Sequence, residues 1–216
     1  MTARTGQQGR ISEQDVERLE RCMADGGVAV FPTDTVYGVC CDPDNEQAAR
    51  RLYELKGRPA SRPAAVMCFA LGPALEMLPE LRHDERAALA ALLPGPVTLL
   101  LANPALRFAP ACRIDPATLG LRVPRLPERL SALASLRRAV MQSSANASGQ
   151  PDARTLAEIP QSMLDGADLV LDGGELPGVA STVIDLRDYS AERRWHVLRE
   201  GALSRQAVRE SLTSLV

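Results

Sequence analysis

VAVFPTDTVYG, Val28 to Gly38, decides the fold class. Val28 to Phe31 is a short apolar β-forming run, and Pro32 stops it because proline has no amide hydrogen to give a ladder. The polar PTDTVYG segment therefore occupies a loop at the carboxyl end of a strand, where α/β sheets place their ligands. Upstream, Ser12 with Asp15 three residues on marks a helix start, Val16, Leu19 and Met23 share one face, and Gly26-Gly27 end the helix. Downstream, Asp44 is the expected cap of a second helix with Ala48, Leu52 and Leu55 as its buried stripe. That helix runs into Lys56 and Gly57 of a KGRP tetrapeptide.

The same reading predicts strands at Ala64 to Ala70, Val97 to Ala102, Leu119 to Val123, from Val140 onward, Leu169 to Leu171, Thr182 to Leu186 and Trp195 to Leu198. Helices are expected over Asp84 to Leu93, over Pro127 to Arg138, and after Ser204, with Ala207, Val208 and Leu212 facing inward. Interleaved helices and strands argue an α/β protein, and the strands flanking Gly173-Gly174 are expected to be antiparallel neighbours. No repeat or linker divides the chain, so a single domain over 1–216 is expected, with its core at about 12–203.

Composition narrows the function. The chain has 216 residues, 45% apolar and 24% charged, ordinary for a soluble globular protein. No apolar run approaches the roughly 18 residues of a membrane span. The opening MTARTGQQGR lacks the apolar stretch of a secretory signal, so the expected location is the cytoplasm. A net charge of -2 disfavours a dedicated nucleic-acid binder, which needs a basic surplus. The five cysteines contain no CxxC pair and the two histidines, His83 and His196, form no metal pattern, so buried thiols and no metal-ligating residue are expected.

One basic residue stands apart. Of twenty-five Lys and Arg only Lys56 is a lysine. Where every other basic position carries Arg, a compact ammonium on a flexible stem suits a phosphate as a point charge. The usual nucleotide templates, GxxxxGK[ST] and GxGxxG, are missing, as are GxSxG and the kinase signatures. What remains is a set of polar and basic residues at strand ends: Thr33, Thr35 and Tyr37; Lys56, Arg58 and Arg62; Thr118 and Arg122; Ser144 and Asn146; Ser181 and Thr182; Arg199. Small hydroxyls and an amide can seat a polar ligand while Lys and Arg neutralise a polyphosphate.

The ordered segments FPTDTVYG, KGRP, GPVTLLL, LGLRVP, SSANASG, STVIDL and LREGAL, from about Gly27 to Leu203, resemble the YrdC/Sua5/TsaC family of L-threonylcarbamoyladenylate synthases. The resemblance implies a YrdC-like twisted mixed sheet flanked by helices, with a concave ligand-binding face. It implies condensation of L-threonine, bicarbonate or carbon dioxide, and ATP into threonylcarbamoyl-AMP and pyrophosphate, for the t6A modification of tRNA. A separate t6A transferase complex is the implied partner, and Mg2+ the implied companion of ATP.

Position by position, the resemblance implies that Thr35, Arg122, Ser144 and Ser181 contact threonine. Lys56, Arg58, Arg62, Thr118, Asn146 and Arg199 would contact ATP, with Lys56 and Arg58 the residues nearest the chemistry. The length is that of the single-domain TsaC type. Departures from the family pattern are Met67 where a His is usual, Arg154 in QPDART where a hydroxyl is expected, Ala180 before STVID, and VCCD after PTDTVYG. A paralogue with an RNA-binding role or a carbamoyl-adenylate role is the alternative expectation.

Overall fold

The computed structural model describes residues 3–5, 9–57, 59 and 62–215. Its strands are β1 (Ala3–Thr5), β2 (Ala29–Phe31), β3 (Gly38–Cys41), β4 (Ala65–Met67), β5 (Val97–Ala102), β6 (Thr118–Arg122), β7 (Val140–Ser144), β8 (Leu169–Leu171), β9 (Thr182–Asp185) and β10 (His196–Arg199). Its helices are α1 (Glu13–Ala24), α2 (Glu46–Leu55), α3 (Leu71–Glu76), α4 (His83–Leu92), α5 (Ala109–Cys112), α6 (Gln161–Gly166), α7 (Tyr189–Glu192) and α8 (Arg205–Thr213). All ten strands share one sheet in the order β1-β8-β2-β3-β7-β4-β6-β5-β9-β10. The sheet is mixed: β4 runs parallel to β6 and β5 to β9, while β3/β7, β4/β7 and β5/β6 are antiparallel.

Local chemistry explains the helix ends. Ser12 and Asp15 form a reciprocal capping box on α1, the Ser12 hydroxyl accepting the Asp15 amide at 3.2 Å and the Asp15 carboxylate accepting the Ser12 amide at 3.0 Å. Ser204 caps α8 in the expected way. The cap of α2 is Asn45 and not Asp44, because the Asn45 side chain accepts the Ala48 amide at 2.9 Å. Over Pro127 to Arg138 the expected α-helix gives way to a 3-10 helix, Glu128–Ser135, in which Leu130 and Leu133 are buried, followed by buried Leu136 at its C-cap. That three-residue period is the one that stacks on a 3-10 face.

Strand β3 was not expected. Every residue of it is buried, so no polar alternation marks it, and Gly38 is needed because a Cβ there would stand 2.8 Å from the Phe31 ring. The segment around Gly173-Gly174 is also no hairpin. β8 pairs in parallel with β1 and β2, whereas β9 pairs with β5 and β10. The connecting chain crosses the sheet and packs on the PTDTVYG loop. A Cβ on Gly173 would fall 2.4 Å from Pro32, and the Gly173 amide donates to the Tyr37 hydroxyl at 3.0 Å.

Candidate functional site

Along a strand alternate residues share a face, and residues on one face of β7, β4, β6, β5 and β9 come together around a single cavity. Ser144 and Gln142 on β7, Ala65 on β4, Thr118, Gly120 and Arg122 on β6, Thr98 and Leu100 on β5, and Val183 on β9 line one cavity of about 370 Å3. That size lies within the roughly 300–1,000 Å3 of small-molecule sites. Thr118 and Arg122 are four residues apart on one strand, so the cavity extends about 13 Å between them at ~3.3 Å per residue. Ser181, Arg199, Asp115, Arg187 and Asp152 add polar and charged groups to the walls.

At one end the PTDTVYG loop is tied by its own side chains. The Thr33 hydroxyl donates to the Val36 carbonyl at 2.7 Å and accepts the Thr35 and Val36 amides. Tyr37 is buried, its hydroxyl donating to the Gly174 carbonyl at 2.8 Å, so it anchors the loop and does not reach the cavity. This arrangement aims Asp34 and Thr35 at Arg122, whose Nη2 donates to Asp34 Oδ1 at 2.9 Å and to Thr35 Oγ1 at 3.1 Å. The other Asp34 oxygen accepts the Arg125 amide at 3.0 Å.

Burial raises the Asp34 carboxyl above its ordinary value, against the opposing pull of Arg122. Burial likewise lowers Arg122, with Asp34 opposing and the like charge of Arg199 adding to the shift. The Arg122 Nε is buried and has no hydrogen-bond partner among the described residues.

Across from it, Ser181 and Thr98 share a hydroxyl hydrogen bond of 2.8 Å, and Arg199 Nη2 donates to the Ser181 carbonyl at 2.8 Å. Thr182 holds the LREGAL turn by accepting the Gly201 and Leu203 amides, each at 3.0 Å. At the far end Arg187 pairs with Asp185 at 2.6 Å and donates to Thr118 Oγ1 at 3.3 Å.

The sequence-derived candidates divide by position. Thr118, Arg122, Ser144, Ser181 and Arg199 line the cavity. Thr35 is fully buried directly behind Arg122. Lys56 is buried under the SSANASG loop and Asn146 is buried within it, with Lys56 Nζ donating to the Asn146 carbonyl at 2.8 Å and to Asn146 Oδ1 at 3.1 Å. Arg62 is exposed beside Pro63, which lines the cavity. Arg58 lies outside the described residues.

Sequence reasoning passed over Asp34, Thr98, Asp115, Asp152 and Arg187. Alternation within GPVTLLL could have found Thr98, but the acidic residues and Arg187 carry no such signal. Of the departures, Met67 is fully buried in register with Arg122, Ala180 lines the cavity, and Arg154 turns away to pair with Glu175.

A family model described as "Telomere recombination", built on Sua5, YciO and YrdC, matches residues 21–201. The chain belongs to the Sua5/YciO/YrdC family. A curated relative from Nitrosococcus oceani, named threonylcarbamoyl-AMP synthase, is 32% identical over 80% of this chain and 92% of its own length. One of the same name from Pyrococcus abyssi is 31% identical over 83% of this chain, which spans about half (53%) of that longer protein. Among solved structures, P. abyssi Sua5 complexed with L-threonine superposes with a TM-score of 0.80 at 28% identity, covering 98% of this chain and 60% of that one. E. coli YciO, at 22% identity and a TM-score of 0.79 over 96% and 100% of the two chains, shares the fold.

Proposed function

We propose that the cavity makes L-threonylcarbamoyl-AMP from L-threonine, bicarbonate or carbon dioxide, and ATP, releasing pyrophosphate, and so supplies the t6A modification of tRNA. The observation that carries this reading is the Arg122 guanidinium, held by Asp34 and Thr35 and lining one end of a cavity whose length admits a second ligand. The name shared by the curated relatives and the threonine bound to a structural neighbour support it.

In this reading Arg122 takes the threonine carboxylate, because a guanidinium presents paired donors to a carboxylate. Thr35 keeps Arg122 oriented, and Ser144 and Ser181 supply hydroxyls for the amine and side chain of threonine. Arg199, Thr118, Asn146, Arg62, Arg58 and Lys56 form the ATP set, Arg199 and Thr118 from the cavity wall and Lys56 and Asn146 through the loop above it.

The amine of threonine must be neutral to capture carbon dioxide. The carbamate oxygen then attacks the α-phosphorus and pyrophosphate leaves. Such a transfer is carried by positioning and charge stabilisation, so no enzyme nucleophile is required.

Magnesium fits as a companion of the phosphates. The cavity offers the Asp115 and Asp152 carboxylates, and no group of three His, Cys, Asp or Glu among the described residues could hold a metal unaided. When bound it would neutralise phosphate charge, with Asp115 or Asp152 able to accept from its water shell. No helix among the described residues is long and apolar enough to cross a membrane, and a cytoplasmic site of action beside a t6A transferase complex accords with the reading. Pyrophosphate release by the purified protein tests it: release should need ATP, threonine and bicarbonate together, and release indifferent to threonine overturns it.

A further inference from the structure

We infer that Lys56 is a positioning residue, one that builds the rim of the cavity by clamping the SSANASG loop from below. What the rim then does rests on the function proposed above, but the clamp itself does not. The Lys56 residue is 2% exposed. Its Nζ donates to three oxygens of the loop: the Ser144 carbonyl, the Asn146 carbonyl at 2.8 Å and Asn146 Oδ1 at 3.1 Å. The Lys56 carbonyl in turn accepts the Ser148 amide at 3.1 Å, so both the side chain and the backbone of this residue hold the same loop.

The knot is closed by its own members. Asn146 Oδ1 also accepts the Ser144 hydroxyl at 2.6 Å, Asn146 Nδ2 donates to the Gln150 carbonyl, and the Ala145 amide donates to the Tyr37 carbonyl at 2.7 Å. Ser144, which faces the cavity, is thereby fixed between the clamp and the PTDTVYG loop.

The geometry accounts for the lone lysine. An ammonium carries three N–H donors arranged tetrahedrally around one small atom, and among the described residues three loop oxygens converge on it here. A guanidinium is planar and wider, with donors spread over three nitrogens, and cannot meet three oxygens that crowd one point. A chain that uses Arg at every other basic position keeps Lys at the one place where that shape fits.

Having a single lysine makes the test direct. In protein labelled with 15N-lysine and held without substrates, the one Nζ resonance should show protons protected from exchange with water at neutral pH. An ammonium exchanging as freely as that of an unstructured lysine overturns the inference. In parallel, Lys56→Met and Lys56→Arg should speed amide exchange across residues 145–150 at least tenfold while β5 amides keep their protection. Unchanged loop protection in both variants overturns the clamp, even if ATP binding weakens, because a group that only touches phosphate would leave the loop alone. Should the variants fail to fold, the wild-type resonance decides.

Discussion

Asp34 and Arg122 meet at 2.9 Å with both side chains 5% exposed, so the principal cation of the cavity is held by a carboxylate nearly as buried as itself. Removing one member of such a pair leaves an uncompensated charge in a low-dielectric site. Asp34→Ala should therefore cost about 3–5 kcal/mol of folding stability in urea titration, and should weaken threonine binding by releasing Arg122 from its orientation. Stability within error of the wild type would show that the pair is not doing this.

Arg122→Lys separates charge from geometry. Asp34 keeps a cation, so the fold should survive, but the paired donors are lost. Threonine affinity measured by calorimetry should fall about tenfold or more, the size expected for a charge-assisted hydrogen bond of roughly 1.5–3 kcal/mol. Undiminished affinity would move the carboxylate site elsewhere.

Gly120 forms part of the cavity floor, with room for a methyl group: a Cβ there would sit 3.5 Å from the Ala65 Cα and 3.6 Å from Leu100. Gly120→Ala should change stability by less than about 1 kcal/mol, since the space exists and alanine restricts the unfolded chain. Gly120→Leu should fill the floor and abolish substrate binding while thermal unfolding remains cooperative. A fully active Gly120→Leu protein would place the reaction outside this cavity.

The far end of the cavity carries a pH signature. Hydrogen bonds from Arg187 hold the Asp185 carboxyl below its ordinary value of 3.8. A depressed carboxylate stabilises the fold above that ordinary value, and the contribution disappears as the pH falls through the lower folded value. Arg187 is partly exposed, which limits the effect to under about 1 kcal/mol. Asp185→Asn should thus lose less stability on acidification than the wild type, read as a flatter unfolding temperature below about pH 4.

All five thiols are free, and burial pushes Cys22 up to about 11 and Cys41 and Cys68 up to about 12. The thiolate is the reactive form, so thiol reagents at neutral pH should label the native protein slowly and take up five equivalents only on unfolding. Rapid labelling of Cys40, Cys41 or Cys68 in the native protein would contradict the packing of β3 and β4.

Much of the architecture could be read locally. Capping residues such as Ser12 and Ser204 announce α1 and α8 because the donors they satisfy are three residues away. The strand ending at Pro32 and its polar loop are local for the same reason. What escaped depends on distance or on two-sided burial. Gly38–Cys41 is covered on both faces, so no alternation distinguishes it, and the leucines of Glu128–Ser135 suit a helix of either pitch. The pairing of Arg122 with Asp34 spans 88 residues, and that of Lys56 with Asn146 spans 90. The sequence shows that Lys56 is unusual, but only the folded loop shows where its ammonium points.

The most direct measurement follows the carbon of bicarbonate. When the protein is incubated with ATP, threonine, magnesium and 13C-bicarbonate, mass spectrometry should find an adenylate heavier than AMP by one threonylcarbamoyl group, carrying a single 13C. An unlabelled threonyl adenylate, or AMP alone, would contradict the account.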